Sequence, residues 1–432
     1  MFQQQNKARL LCIYAESQTY TSTVFEHLSS FKKYSKYDWY YCDFAKIREI
    51  SPKFNWFNGI VVHYSVRLPF GQIDTFAQQS LQKYKGIKIL FIQDEYDHVN
   101  ATQQILQRVA FDLVFTVVPK KSIQRIYPLN KFPKTKFISN LTGYVPDNLV
   151  TKFSLPIPPS KRDLTIAYRG RKLPIRYGKL AQEKYLIGEN VKNYCAKNLI
   201  SCDIEWDEGS RIYGKFWYRF ILSAKAMLGT ESGSNVFDWD NSIENKISDF
   251  LRKHPRASEQ TIYKQIVQKY ESPGLMNQVS PRIFEMAAGH TIMVLFEGSY
   301  SGVLEPDVHY LPLKKNFKNL EAIFKKLSKS NVDQLAERAY SHLVESGKYS
   351  YRTFVSMVDG QIDQLARAQI KQATLFAINI SGLNSDITEF PKRSRWGASW
   401  KNFLWLFFPP TVHSFVKYAL KHPAAQTLLN RN

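Results

Sequence analysis

Short apolar runs and amphipathic stretches take turns along most of this chain. Residues 9–15 are a nearly unbroken apolar run and predict a buried strand. A helix follows from residue 21 or 22, with Phe25, Leu28 and Phe31 on one face. The same alternation predicts strands at 59–63, 88–92 and 113–118, and helices at 76–84 and 103–109. Strands separated by helices imply right-handed crossovers and a parallel sheet. Residues 139–162 are rich in proline and read as a linker. A second series then begins, with strands at 164–168, 202–206, 225–229 and 291–296 and helices at 184–198, 216–224 and 282–288. Helices at 321–327, 332–344 and 350–373 close it, and the polar stretch 242–272 reads as a surface excursion. The expected fold class is α/β, with two Rossmann-like domains facing a cleft. The domains are expected at 1–150 and 160–345, followed by a helix at 346–375 and a tail at 376–432.

In parallel sheets of this kind ligands bind beyond the carboxyl ends of the strands. Three loops of the first series fall there: residues 16–22, a polar loop beginning with Glu16; residues 63–67, with His63; and residues 93–97, with Asp94, Glu95 and Asp97. Any of these carboxylates is a candidate general base for a hydroxyl, an orienting group or a weak metal ligand. A solvated loop capping the next helix is the bland alternative, and a lone histidine at a strand end is usually just hydrogen-bonded. In the second series the strand at 164–168 runs into Arg169-Gly170-Arg171. Seven basic residues stand against the single acid Asp163 between Lys161 and Lys179. A glycine between arginines after a strand suits a pyrophosphate. Arg169 and Arg171 are the candidate phosphate ligands, with a solvated basic loop as the alternative. The loop 229–235 carries Glu231 and Ser234 between Gly229 and Gly233, which allow close backbone approach.

Residues 277–305 concentrate the most chemistry. A polar loop with Ser280 leads into a short helix bearing Arg282 and Glu285, which Gly289 stops before the apolar strand. A helix start favours anions, an arginine fork fits phosphate, and a carboxylate one turn in can accept two ribose hydroxyls. This segment, with its Asn277-x-x-x-x-Arg282-x-Phe284-Glu285 pattern, resembles the donor-binding segment of GT-B glycosyltransferases, most closely a spore-maturation-type branch. In that family two glutamates eight positions apart contact the donor; Glu285 matches the second, and Asn277 stands at the first. The loop at Glu231 resembles a "Leu-Gly-x-Glu-x-Gly" segment of the same branch in the donor cleft. The resemblance implies that Arg169, Arg171, Glu231, Ser280, Arg282 and Glu285 hold a nucleotide-diphosphate sugar. It places the loop at Glu16 near the acceptor and has the last helix cross back to the first domain; the acceptor is expected near Glu16, His63 and Asp94. No separate cofactor and no metal are implied; the nucleotide sugar is a substrate. An Asp94 or Glu95 base would give inversion. Without one, the leaving phosphate would deprotonate the acceptor, and the sequence leaves both open.

Composition narrows the partners. At 44% hydrophobic and 22% charged residues the chain is globular. Four scattered cysteines make neither a disulfide framework nor a zinc site, and suggest a reducing compartment. No run approaches a transmembrane span, and no secretory leader is read at the start. The formal charge of +22 favours anionic partners. From residue 390 onward seven Lys or Arg face no acid, around tryptophans 396, 400 and 405. Such a tail reads as a segment lying in an anionic membrane surface, or alternatively one packed on the body or a dimer partner. The expectation is therefore a glycosyltransferase acting on a glycan or lipid-linked saccharide in cell-surface polysaccharide synthesis, cytoplasmic and peripheral to the inner face of the membrane. The alternative is a non-enzymatic binder of nucleic acid or anionic polymer, although no nucleic-acid-binding motif is present. A third reading is a sugar-nucleotide epimerase of the same fold.

Overall fold

The computed structural model describes residues 7–150, 153 and 156–369. The expected tail lies outside the described residues. Two parallel sheets are present, one of six strands in the order β2-β1-β3-β4-β5-β6 and one of five in the order β11-β10-β9-β7-β8. The first comprises β1 (Arg9–Tyr14), β2 (Asp38–Asp43), β3 (Gly59–Val62), β4 (Ile87–Ile92), β5 (Leu113–Thr116) and β6 (Lys136–Ser139). The second comprises β7 (Leu164–Arg169), β8 (Cys202–Glu205), β9 (Ala224–Gly229), β10 (Ile292–Phe296) and β11 (Leu311–Leu313). The expectation of two Rossmann-like domains holds.

Helices α1 (Ser22–Tyr34), α3 (Thr75–Lys83) and α4 (Val99–Val109), with the one-turn helices α2 (Ile47–Ile50) and α5 (Ile123–Ile126), connect the first sheet. Helices α6 (Gly178–Lys197), α7 (Lys215–Ser223), α8 (Ser242–Lys253), one-turn α9 (Glu259–Ile262), α10 (Arg282–Ala288), α11 (Leu320–Leu327) and α12 (Asp333–Tyr340) serve the second. The excursion around α8 and α9 has its own small core of Val236, Ile243, Ile262, Tyr263, Ile266 and Val267.

Three strands escape the hydrophobic pattern: β2, β6 and β11. All are edge strands, and an edge needs only one apolar face. β11 is Leu-Pro-Leu, and a proline is tolerated at an edge where no ladder donor is missed.

The final helix α13 (Tyr351–Gln369) leaves the second domain and packs on the first. Phe354, Val355, Val358 and Ile362 share a core with Leu28, Phe31 and Phe91. Asp359 accepts from the Ser35 hydroxyl at 2.7 Å and the Lys36 backbone N–H at 2.9 Å. A second seam joins the domains. The Asp238 N–H donates to the Tyr96 carbonyl at 2.8 Å, the Gln278 amide donates to the Val117 carbonyl, and Phe237, Leu275 and Met276 of the second domain enter the first domain's core. The carboxyl ends of the two sheets therefore face each other across a crevice tied on two sides.

Candidate functional site

Each sheet has a point where successive strands diverge, between β1 and β3 in the first domain and between β7 and β9 in the second. A crevice forms beyond the strand ends there, because the following loops part to opposite sides. The second-domain wall is built on α10. Arg282 is exposed, donates to the Arg169 carbonyl, and carries its guanidinium 5.0 Å from the ring centre of Trp217. Glu285, one turn on, accepts from the Trp217 indole N–H at 2.7 Å. Trp217 is buried on α7, so its ring is a fixed partner to both groups. Glu285 is half-buried. Its charge acts on the buried phenols Tyr218 of the second domain and Tyr351 of α13, and so does the charge of Glu26 on α1. Burial is the largest influence holding both phenols above their ordinary range. Glu26 is a residue the sequence reading passed over.

Three cations gather beside this wall. Arg171 is exposed, and no side-chain partner for it is found among the described residues. Lys184, two turns into α6, is half-buried, and burial first, then Arg282 and Arg171, bring its amino group down to about 8. Asp94 of the first domain is close enough to oppose that shift. Lys184 thus lies within electrostatic reach of Arg171 and Arg282 on its own lobe and of Asp94 on the other. Sequence reasoning missed Lys184 because a lysine inside an amphipathic helix looks like any solvated position. The tight turn at Gly170 was its only signal. A Cβ at Gly170 would stand 2.7 Å from the Lys184 carbonyl, so glycine there is what lets α6 come this close to β7.

The helix starts contribute less than expected. In α10 the Ile283 and Phe284 N–H groups are taken by the carbonyls of Ser280 and Pro281 at 3.0 and 3.1 Å. In α6 the Lys179 N–H is capped by Glu271. Side-chain cations therefore carry the positive field. Ser280 is half-buried, and its carbonyl closes the first turn of α10.

Several expected ligands are committed elsewhere. The Arg169 side chain is 4% exposed. It donates to the carbonyls of Ser210, Tyr168 and Asp203 and to the Asp203 carboxylate, all between 2.9 and 3.1 Å, and lies on Phe220. Only its backbone carbonyl reaches the site. Glu231 is buried and accepts from the Ser299 N–H and hydroxyl, the Tyr300 N–H and the Asn277 amide. It locks the loop after β9 to the loop after β10. Ser234 donates to the Tyr177 and Val236 carbonyls at 3.1 and 2.8 Å, within its own surroundings. Asn277 spends its amide on Glu231 and leaves its carbonyl oxygen buried without a partner.

On the first domain the three carboxylates of residues 93–97 take three different jobs. Asp94 adopts a left-handed backbone (φ 54°), is exposed on the rim, and accepts from the Tyr96 hydroxyl at 2.9 Å. Glu95 turns into the core, where it accepts from the Thr116 hydroxyl, the Val117 N–H and the Tyr127 hydroxyl. Burial pushes its carboxyl up to about 7. Asp97 straps the lobes, pairing with Arg176 at 3.1 Å and accepting from the Tyr177 hydroxyl at 3.1 Å. His63 is fully buried, bonded to His27 at 2.9 Å and Ser65 at 2.9 Å, and burial followed by His27 holds it well below the usual imidazole range. It stays neutral and does not face the crevice as a base. Tyr64, Arg67, Gln93, Asp94 and Asp97 line a recess beside Asp94. Among the described residues no group of three His, Cys, Asp or Glu is placed to hold a metal ion.

No family model matches this chain. No curated protein matches it either. Solved structures do resemble it. One is an α-glucosyltransferase in complex with UDP and a 13-mer DNA containing a HMU base. It is 12% identical, covering 82% of this chain and 98% of that one, with a TM-score of 0.48. Another is HepE from Anabaena in complex with UDP and glucose, at 8% identity, 84% and 100% coverage and a TM-score of 0.45. A third is a UDP-N-acetylglucosamine 2-epimerase, at 8% identity, 86% and 100% coverage and a TM-score of 0.42. These are likenesses at very low identity, and the reading of the site stands on its own residues.

Proposed function

We propose that this protein is a glycosyltransferase that moves a sugar from a nucleotide-diphosphate sugar to a hydroxyl of a glycan or lipid-linked saccharide, in cell-surface polysaccharide synthesis. The observation that carries the reading is that Trp217 holds Glu285 and Arg282 together, while Lys184 feels Arg282 and Arg171 on its own lobe and Asp94 on the other. The GT-B resemblance of residues 277–305 supports it.

In this reading Arg171, Lys184 and Arg282 hold the donor diphosphate and stabilise the charge that builds on it as the glycosidic bond breaks. Preorganised cations in a partly dry crevice act more strongly than in water. They serve where other transferases use a metal ion. Glu285, fixed by Trp217, accepts hydroxyl protons of the ribose. The unpaired Asn277 carbonyl oxygen takes a hydroxyl of the donor. Glu231 and Arg169 hold the walls rather than the ligand.

The acceptor lies on the rim beside Tyr64 and Gln93, where the Asp94 carboxylate takes the proton of the attacking hydroxyl. Glu95 and His63 lie too deep to do so. An Asp94 base on the side opposite the diphosphate is the arrangement for inversion. The tail beyond residue 376 is assigned to the membrane surface, on the cytoplasmic side.

Thermal-shift measurements against uridine, guanosine, cytidine and thymidine diphosphates test the reading. Stabilisation by one of them at ordinary salt, lost in Glu285→Ala, is the expected result. Binding of generic DNA unaffected by Glu285→Ala, with no response to nucleotides, would instead favour the anionic-polymer binder. Donor turnover in the absence of any acceptor sugar would favour an epimerase.

A further inference from the structure

We infer that the β5–β6 edge of the first domain, from Lys120 to Lys136, is a docking face for an anionic lipid surface. From residue 113 to residue 146 the chain has no acid, and six bases: Lys120, Lys121, Arg125, Lys131, Lys134 and Lys136. All six are exposed. Elsewhere some exposed lysines pair with carboxylates, as Lys33 does with Asp147 and Lys172 with Glu259, and others such as Lys83, Lys85 and Lys197 do not among the described residues; what sets this edge apart is six such bases on one acid-free stretch. Along this edge none of the six has a carboxylate partner among the described residues. Arg125, Lys131 and Lys136 donate only to the neutral groups of Ser272, Gln103 and Gln364. The positive charge here is uncompensated by the fold.

The stripe has an apolar tip. Leu129 is 61% exposed, at the crown of the turn between α5 and β6. That turn is held firmly. The Leu129 N–H donates to the Gln124 side chain, the Phe132 N–H returns to the Leu129 carbonyl at 3.1 Å, and Tyr127 stacks on Phe137 and meets Phe132 edge-on. A rigid turn that holds a leucine out among lysines costs solvation unless something covers it. Lys136 alone would be explained as a guard on an edge strand. Lys120, Lys121 and Lys131 lie off the strand and are not.

An apolar side chain ringed by cations matches the boundary between anionic headgroups and acyl chains. Nucleic acid would be met by the cations but gains nothing from an aliphatic tip, since its bases stack on aromatic rings. Each cation brought to such a surface strengthens partition by roughly fivefold at low salt, and screening weakens this as salt rises. The face abuts the crevice mouth: Arg125 bonds Ser272 of the second domain, and the Lys121 amino group lies beside Gly274. On the transferase reading, a lipid-linked acceptor then reaches Asp94 without leaving the interface. The docking itself does not depend on that reading.

Flotation of the full chain with phosphatidylglycerol vesicles, against phosphatidylcholine vesicles, tests it. The triple variant Lys120→Glu, Lys121→Glu, Lys134→Glu should lose on the order of a hundredfold in partition. Leu129→Glu alone should lose roughly tenfold. A control reversing Lys83, Lys85 and Lys197 on other faces should stay within about threefold of the parent. Nucleotide-induced stabilisation should be unchanged in all three, which separates this face from the donor site. Parent-like flotation of both edge variants would overturn the proposal and leave vesicle binding to the tail. So would a duplex-DNA affinity abolished by the triple variant while vesicle binding persists.

Discussion

The indole nitrogen of Trp217 sits 2.7 Å from the Glu285 carboxylate, while the same ring lies under the Arg282 guanidinium. One buried aromatic residue thus positions both the carboxylate and one of the cations of the proposed donor wall. Trp217→Phe keeps the ring's bulk and removes the N–H. A hydrogen bond to a charged acceptor contributes roughly 1.5–3 kcal/mol. We expect nucleoside diphosphate affinity to fall about tenfold or more, with the fold intact by circular dichroism. Glu285→Ala should weaken binding at least as much. Calorimetric titration checks both, and an unchanged Kd in both would remove Glu285 from the site.

On the proposed reading, Lys184 gives the donor site a pH signature. In the free protein its amino group titrates near 8, lowered by burial and by the neighbouring arginines. Only the protonated form attracts a diphosphate. Below pH 8 the charge is in place; above it, binding must first recruit a proton. Affinity should therefore fall as pH rises through 8, approaching tenfold per pH unit. Lys184→Met should bind weakly at neutral pH and show a flat profile from pH 7 to 9. A parent profile as flat as the variant's would contradict the assignment.

Asp94 and Glu95 are neighbours with opposite fates, and substitution should separate them. Asp94→Asn should reduce turnover by roughly 10²–10⁴-fold while leaving donor affinity within about threefold. Glu95→Ala should lower stability, since three hydrogen-bond donors in the core lose their acceptor. Measuring nucleotide release together with the urea midpoint distinguishes the two outcomes. Retained turnover in Asp94→Asn would assign the proton to the leaving phosphate instead.

Arg169 and Arg171 should also divide. Arg169→Met breaks a buried ion pair with Asp203 and empties several carbonyl contacts, at a cost of about 3–5 kcal/mol in unfolding free energy. Arg171→Ala should leave stability within ~0.5 kcal/mol and weaken nucleotide binding. Urea melts paired with titrations decide this, and the reverse pattern would place the phosphate at Arg169.

The alternation of strands and helices was legible, as were the loops at the strand ends. What misled was the assumption that a polar residue at a strand end faces the crevice. Arg169 ends β7, yet its guanidinium folds back under the sheet onto Phe220 and Asp203. Glu231 follows β9, yet it bridges two backbone loops. The side-chain direction of such a residue depends on groups 34 to 69 positions away, which no local pattern carries.

The sequence alone settled the α/β class and the two-domain order, because apolar periods of 2 and 3.6 are local properties of the backbone. It also marked residues 277–289, where loop, helix and glycine stop follow from short-range chemistry. Which carboxylate faces solvent at 94, 95 or 97, and which three cations meet, were decided only by tertiary packing. Burial and charge pairing are set by neighbours distant in the chain: Lys184 joins Arg282 and Asp94 only once two sheets have brought their carboxyl ends together.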